Sequence, residues 1–350
     1  MVLSDYFRPK WQHSRYETRL QAIKELRDET LLADVAKKES DRRICKAALN
    51  NIKDQEILVD IALTAAHEAI RRMAVAKLED EKLLARLAKT ASVWTVRKAA
   101  VEKLKDAGVI EEVIRHDSAW AVRVAAVENA RDKELLANLA QSDREWPVRM
   151  AALEKVDDQA LVAEVAENDE DKDVREAAVK KLTDQKMLGE IAVSDPNENV
   201  RRAAIAKIDD QAILADLVIT APDWSVREAV AEKIEDQVLL YQVVKKDQSL
   251  SVRQAAVERL NDQTVLSEIA TFDSSAWVRE AAVQKLQVQT ILEKVAETDA
   301  KASVRKAAAA KVNNIALLER LAKKDEDSNV RKAASSRISE LRQLPDNKRV

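Results

Sequence analysis

The residues of this sequence that could do chemistry are few, and they stand apart from one another. His67 and Glu68 are adjacent and could ligate a metal ion, but the other histidines, His13 and His116, are not followed by a glutamate. A single His-Glu pair supplies too few ligands for a metal centre. Cys45 is a candidate nucleophile, yet no nearby sequence marks a base that would activate its thiol. We therefore expect no enzymatic activity, no cofactor and no metal site.

The composition excludes several other classes of protein. The 350 residues contain 2 glycines, 3% aromatic and 46% hydrophobic residues, which favours a well-packed all-helical chain. A formal net charge of −3 gives no overall attraction to nucleic acid or to anionic lipid. The N-terminal residues include no apolar signal region, and the apolar runs are too short to span a membrane. We expect a cytoplasmic, monomeric protein without a membrane partner.

A repeat of 26 residues organises the chain. Thirteen copies follow one another without insertion or deletion, and arginine follows the central position in 12 of the 13. Alanine lies four residues after the centre, also in 12 of 13 copies. A fixed period of this length indicates stacked supersecondary units rather than separate globular domains. The central positions, numbered 0 below, are Thr18, Ile44, Ile70, Val96, Val122, Val148, Val174, Val200, Val226, Val252, Val278, Val304 and Val330.

Each copy predicts two helices. In the segment 174–182 the apolar positions 0, +4 and +8 fall on one helical stripe. Position +10 is aspartate in 10 copies, and an aspartate there can cap the N-terminus of a second helix. Helices of about nine to twelve residues fit the period and are near the average for globular proteins. The alanine at +4 is expected where neighbouring helices approach too closely for a larger side chain.

An aspartate five residues before the central position, together with the following arginine, resembles the signature of HEAT repeats. Residue −5 is aspartate in eight copies: Asp117, Asp143, Asp169, Asp195, Asp247, Asp273, Asp299 and Asp325. The resemblance covers about residues 13–340. It implies an all-α, right-handed α-solenoid of about 13 two-helix repeats, in which the aspartates and arginines form a hydrogen-bond ladder between successive repeats. The short unit is also similar to the leucine-rich repeat variant, whose iron–sulfur cluster would need cysteines that this chain lacks.

The predicted organisation has three parts. Residues 1–12 form a capping segment in which Phe7 and Trp11 cover the first repeat. Residues 13–340 form a single HEAT-like array. Residues 341–350 are a polar tail, with Pro345 ending the last helix.

Two rows of basic residues run through the array. The arginines at +1 lie beside the buried stripe, which favours the structural ladder over a phosphate-binding track. A second row lies at +7, where cations near a helix C-terminus complement its dipole. Its members are Lys77, Lys103, Lys155, Lys181, Lys207, Lys233, Arg259, Lys285, Lys311 and Arg337.

Tryptophan recurs at one position of the repeat, two residues before the centre. Trp94, Trp120 and Trp146 occupy this position in three consecutive copies. One turn further, at +2, most copies carry a charged or polar side chain, whereas Val124 and Met150 are apolar. Two interpretations are open. Each tryptophan could be a hydrophobic staple that closes its own turn, or the five residues could form an exposed patch that binds a partner.

These observations support three hypotheses about function. The first is a non-enzymatic scaffold that binds a protein or peptide along the solenoid groove, anchored on Trp94, Trp120, Val124, Trp146 and Met150. The second is nucleic-acid binding, by resemblance to HEAT-like DNA glycosylases that hold DNA in a basic groove. Acidic residues at +6, beside the lysines, weigh against it. The third is an enzyme or an enzyme-assembly factor, similar to the HEAT-like phycobilisome lyases, for which no nucleophile with a base is present.

Overall fold

The computed structural model describes residues 9–343, and the regular structure in this range is helical. A 3-10 turn, Lys10–Gln12, precedes the α-helices, which are numbered here in chain order. They are α1 Tyr16–Glu25, α2 Glu29–Lys38, α3 Arg42–Asn50, α4 Gln55–Thr64, α5 Glu68–Lys77, α6 Glu81–Thr90, α7 Trp94–Val101, α8 Ala107–His116, α9 Trp120–Asn129, α10 Lys133–Ser142, α11 Trp146–Glu154, α12 Gln159–Asn168, α13 Lys172–Lys181, α14 Gln185–Ser194, α15 Glu198–Lys207, α16 Gln211–Thr220, α17 Trp224–Ala231, α18 Gln237–Lys246, α19 Leu250–Arg259, α20 Gln263–Phe272, α21 Ala276–Lys285, α22 Gln289–Thr298, α23 Ala302–Ala309, α24 Ile315–Lys324 and α25 Ser328–Gln343.

The helices alternate as the repeat predicts. Every odd-numbered helix contains a central position, and an even-numbered helix follows the aspartate at +10. The carboxylate of Asp132, for example, accepts hydrogen bonds from the amides of Glu134 and Leu135 at 2.9 and 3.2 Å. The ten predicted caps all accept amide hydrogen bonds of this kind: Asp28, Asp54, Asp80, Asp106, Asp132, Asp158, Asp184, Asp210, Asp236 and Asp262.

Packing is local throughout. An odd-numbered helix packs against the even-numbered helix before it, and against the odd-numbered helices of neighbouring repeats, as α9 does with α8, α7 and α11. Such short helices gain most of their stability from packing rather than from propensity. A stack of alternating helices that contact only their near neighbours is an α-solenoid, which confirms the predicted fold class.

The chain divides into two compact units, residues 1–174 and 175–350, with the boundary inside α13. The first contains α1 to α12 and the second contains α14 to α25. Each is an α-solenoid. The predicted cap and tail fall largely on residues 1–8 and 344–350, so Phe7 and Pro345 lie outside the described residues, whereas Trp11 is half-buried in the 3-10 turn.

The core is formed by the central positions and by the alanines at +4. The side chains of Val96, Ala100, Val122 and Ala126 are fully buried. The +4 residues are fully buried from Ala48 to Ala334, including Val230, the one copy that is not alanine. The close contact between odd-numbered helices therefore leaves room for a small side chain, as the sequence predicts.

Candidate functional site

The arginines at +1 and the aspartates at −5 form a ladder between successive repeats. The guanidinium of Arg123 donates from Nε and Nη2 to the carboxylate of Asp143, at 3.1 and 2.8 Å. Its Nη1 also donates to the carbonyl of Asp117, the −5 residue of its own repeat, at 3.0 Å. The predicted ladder is therefore present. Its rungs are Arg97–Asp117, Arg123–Asp143, Arg149–Asp169, Arg175–Asp195, Arg227–Asp247, Arg253–Asp273, Arg279–Asp299 and Arg305–Asp325.

The rungs are buried ion pairs whose charges are stabilised by each other. The hydrogen bond to Asp169 raises the pKa of Arg149, and the hydrogen bond from Arg305 lowers the pKa of Asp325. Arg149 is only 4% exposed. Its guanidinium is therefore committed to the ladder and is not free to bind a phosphate group.

At three junctions between repeats, alanine stands at −5 instead of aspartate. Where Ala221 replaces it, Asp223 accepts from Arg201 at 3.0 Å. Where Ala65 replaces it, the arginine is also missing, and Cys45 stands in its place. Where Ala91 replaces it, Arg71 remains, and its buried Nε has no hydrogen-bond partner. The junction between α5 and α7 therefore keeps a guanidinium without its carboxylate.

His67 and Cys45 belong to the junction at Ala65. Nε2 of His67 lies 3.2 Å from the carbonyl oxygen of Glu39, and the Cys45 thiol donates to the same oxygen at 3.1 Å. This contact half-buries His67 between two repeats. Cys45 is fully buried, and burial raises the pKa of its thiol to about 11.

No metal centre is formed by the described residues. Between residues 9 and 343, no group of three or more His, Cys, Asp or Glu side chains is placed to hold a metal ion. The same range contains no helix with the length and apolar character needed to cross a membrane.

The lysines at +7 also join repeats. Nζ of Lys155 donates to the carbonyls of Val127, Glu128 and Ala130, at the C-terminal end of α9 and just after it, at distances of 2.7 to 3.0 Å. Burial lowers the pKa of Lys77, Lys285 and Lys311, which make contacts of the same kind. The lysines that bind preceding carbonyls in this way are Lys77, Lys103, Lys155, Lys207, Lys233, Lys285 and Lys311. This row therefore stabilises helix C-termini of the preceding repeat.

A third row of contacts was missed from the sequence. Oε1 of Gln185 accepts from the amides of Asp209 and Asp210, one repeat further on, at 2.8 and 3.2 Å. The sequence interpretation gave no role between repeats to the glutamine or glutamate after each capping aspartate. The regular recurrence of this residue is the signal that could have revealed the contact. Its members are Glu29, Gln55, Glu81, Gln185, Gln211, Gln237, Gln263 and Gln289.

The predicted site residues lie together on the solvent-exposed side of α7, α9 and α11. Trp94, Trp120 and Trp146 are the first residues of these three helices, and they are 47, 47 and 45% exposed. Val124 and Met150 lie four residues after their tryptophans, and so on the same helix face, and both are half-buried. Because α9 packs against both α7 and α11, the five residues form one apolar surface, called the Trp row below.

The helix starts bear on the staple interpretation of the tryptophans. A hydrophobic staple uses the residue before the N-cap, and the N-caps of α7, α9 and α11 are Val93, Ala119 and Glu145. Each tryptophan follows its N-cap instead of preceding it. The tryptophans therefore do not occupy the staple position.

Charged side chains flank the Trp row on two sides. Glu128 follows Val124 by one helical turn on α9, and Glu102, the C-cap of α7, follows Trp94 by two. On the other side, the +2 positions of α3, α5 and α7 carry Lys46, Arg72 and Lys98. Nζ of Lys98 lies 3.7 Å from Oε1 of Glu102, whereas Lys46 and Arg72 are exposed. The surface thus changes from basic to apolar along three successive helix junctions.

The helix order and the ladders together define the class of protein, which is a repeat protein built as an α-solenoid in each of its two units. No family model and no curated protein matches the sequence. An X-ray structure of the Escherichia coli protein YibA aligns with 95% of this chain and 99% of its own, at 15% identity and a TM-score of 0.23. A designed armadillo repeat protein aligns with 94% and 96%, at 16% identity and a TM-score of 0.09. At these TM-scores the superpositions are poor, so the assignment rests on the helices and the ladders.

Proposed function

We propose that this protein is a non-enzymatic scaffold that binds a segment of a partner protein on the Trp row. The observation that carries the proposal is the set of three half-exposed tryptophans at the start of three adjacent packed helices. Tryptophan is enriched among the residues that dominate binding energies at protein interfaces. An exposed apolar patch bordered by charge is typical of an interaction site.

The contacts made by the two basic rows also favour a protein partner over a nucleic acid. The arginines at +1 bind aspartates, and seven lysines at +7 bind backbone carbonyls. Neither row offers the line of free cations that phosphate binding requires. These two rows therefore do not support the nucleic-acid alternative, which becomes one outcome of the experiment below.

We propose in addition that the repeats are HEAT-like, that the protein works as a monomer and that it resides in the cytoplasm. The Arg–Asp ladder supports the first point, because a ladder of this kind is what the resemblance implies. The single buried thiol of Cys45 is compatible with a reducing compartment.

The test is an affinity capture from cell lysate with matched variants. One bait replaces Trp94, Trp120 and Trp146 with alanine. The control bait carries Trp224→Ala, which removes a tryptophan of the same repeat position and 51% exposure from α17. Equal helicity of all baits is checked by circular dichroism.

We expect a protein partner that the wild type and the Trp224 variant retain and that the triple variant loses. Equal recovery by all three baits would contradict the placement of the site. Loss of the captured material after nuclease treatment would favour the nucleic-acid alternative.

A further inference from the structure

The cations beside the Trp row are not neutralised by the protein itself. Arg42, Lys46, Arg71 and Arg72 lie on α3 and α5, and within residues 9–343 none of them has a carboxylate at ion-pair distance. Glu39 and Asp41, just before α3, lie at ion-pair distance from Arg19 and Arg43, which leaves Glu68 at the start of α5. The region therefore keeps an excess of positive charge next to an apolar surface.

Arg71 is the most informative of these cations. Its Nη1 donates to the carbonyl of Ala65 at 2.7 Å, but its Nε is buried without a partner. In the next repeat, the equivalent Nε of Arg97 donates to Asp117 at 2.6 Å. The missing carboxylate belongs to position 91, three residues before Trp94. The positive charge of this guanidinium is therefore not offset by a carboxylate within the junction between α5 and α7.

The equivalent surface around Trp224 is different. Arg202 lies on α15, the preceding odd-numbered helix, and is paired with Glu198 at 2.9 Å. The residue one turn after Trp224 is Glu228. The surface around Trp224 therefore has neither an unpaired cation on the preceding repeat nor an apolar residue one turn after the tryptophan. The combination of free cations with an apolar row is a feature of α3 to α11, and it does not follow from the repeat as such.

We propose that the segment bound by the Trp row is acidic at one end and apolar at the other. Its carboxylates face Lys46 and Arg72, and its apolar side chains lie on the Trp row. This inference rests on the proposed function and adds the chemistry of the partner. Charge complementarity of this kind fixes the orientation of a bound segment and raises its association rate.

The spacing of the helices sets the spacing of the side chains in the partner. Packed helices lie roughly 8–10 Å apart. A polyproline II segment advances about 3.1 Å per residue and completes a turn in three residues, or about 9.3 Å. Every third side chain of such a segment therefore meets a successive helix. Acidic residues at positions 1 and 4 would face α3 and α5, which carry Lys46 and Arg72, when apolar residues at positions 7 and 10 face α7 and α9.

The probes for the test are three fluorescein-labelled 12-residue peptides. The first has glutamate at positions 1 and 4 and leucine at positions 7 and 10, with proline and serine elsewhere. The second has lysine in place of both glutamates. The third keeps the composition of the first but exchanges the glutamate at 4 with the leucine at 7. Binding is measured by fluorescence anisotropy against the full-length protein.

We expect the first peptide to bind the wild type about tenfold more tightly than either control, which corresponds to about 1.4 kcal/mol. Its affinity should fall as salt rises, since exposed charges are screened. The double variant Lys46→Glu and Arg72→Glu should reverse the preference towards the lysine peptide. Both positions are exposed, so this variant is expected to fold normally.

Two results would overturn the inference. One is equal or tighter binding of the lysine peptide by the wild type. The other is no binding of the first peptide below about 1 mM, a free energy of only about −4 kcal/mol. If either occurs while the Trp triple variant still loses its captured partner, the proposed function stands and only the partner chemistry is wrong. If the triple variant retains the partner, the proposed function itself fails.

Discussion

The two sides of α7, α9 and α11 differ in how much their residues vary. On the ladder side, Arg97, Arg123 and Arg149 repeat the same contacts with the same geometry. On the solvent side, the residues at +2 change from Lys98 to Val124 and Met150. A residue that is the same in every repeat holds repeats together. Residues that depart from the repeat on an exposed face have no such role, and they are where function is to be sought.

The ladder side should give the largest effect on stability. Arg149→Ala leaves the buried carboxylate of Asp169 without its guanidinium, and breaking a buried pair costs about 3–5 kcal/mol. Hydrogen exchange near Asp169 measures this loss locally, because a repeat array need not unfold in one step. Arg331→Ala is the control, since its Nη1 donates only to backbone carbonyls. Equal losses in the two variants would contradict a special role for the rung.

The solvent side should show the opposite behaviour. Trp120→Ala is expected to lower partner affinity by about 2 kcal/mol or more, as at interface hot spots. Its effect on unfolding should stay within about 0.5 kcal/mol, which is typical of surface substitutions. Titration calorimetry with the captured partner, together with chemical denaturation, separates the two quantities. Trp224→Ala should change neither, and a comparable loss of affinity there would remove the distinction between the two tryptophan sites.

A new rung can be added where the ladder is incomplete. Ala91 has backbone angles of −62° and 129°, close to the −69° and 131° of Asp117, which carries a rung. Ala91→Asp should therefore pair with Arg71 and raise the free energy of unfolding by about 1 kcal/mol. Ala65→Asp is the matched control, because Cys45 offers no guanidinium there. A gain in both variants, measured by thermal denaturation, would show that the rung is not its cause.

Acid should weaken the ladder gradually. The pKa of Asp325 is lowered in the folded protein, chiefly by the hydrogen bond from Arg305. A lowered folded pKa contributes stability above the unfolded value of 3.8, and this stability is lost as the pH falls through the folded value. We expect Asp325→Asn to be less stable than the wild type at neutral pH, with the difference shrinking below about pH 4. A difference that is constant from neutral pH into acid would contradict this ionisation linkage.

The parts of the fold that could be predicted from the sequence are those that depend on neighbours within one repeat. The helix pairs, the aspartate caps and the small residue at +4 follow from local spacing, and the structure confirms them. The Arg–Asp ladder came from the resemblance to a family. The contacts of Lys155 and Gln185 with the next or previous repeat could not be separated from ordinary solvated side chains, because nothing in one repeat specifies its neighbour's orientation.

The candidate site could also be predicted from the sequence only in part. The position of Trp120 within the repeat indicated an exposed side chain. Whether Trp120 can act as a hydrophobic staple depends on the residue at which its helix begins. That boundary is among the least certain features of any sequence interpretation. The loss of a rung at Ala91 was visible in the sequence, since the aspartate at −5 is absent there. Its consequence, an Nε of Arg71 without a hydrogen-bond partner, is seen only in the structure.

The rungs also determine how the chain can fold. Each of them joins residues 20 apart in sequence, as in Arg97 and Asp117, and the principal helix contacts link near neighbours. The contact order of each unit is therefore low for its length, so loops that must close during folding are short. Folding can begin at several repeats and spread outwards. Fragments cut between rungs, in whole numbers of repeats, are the pieces most able to fold alone.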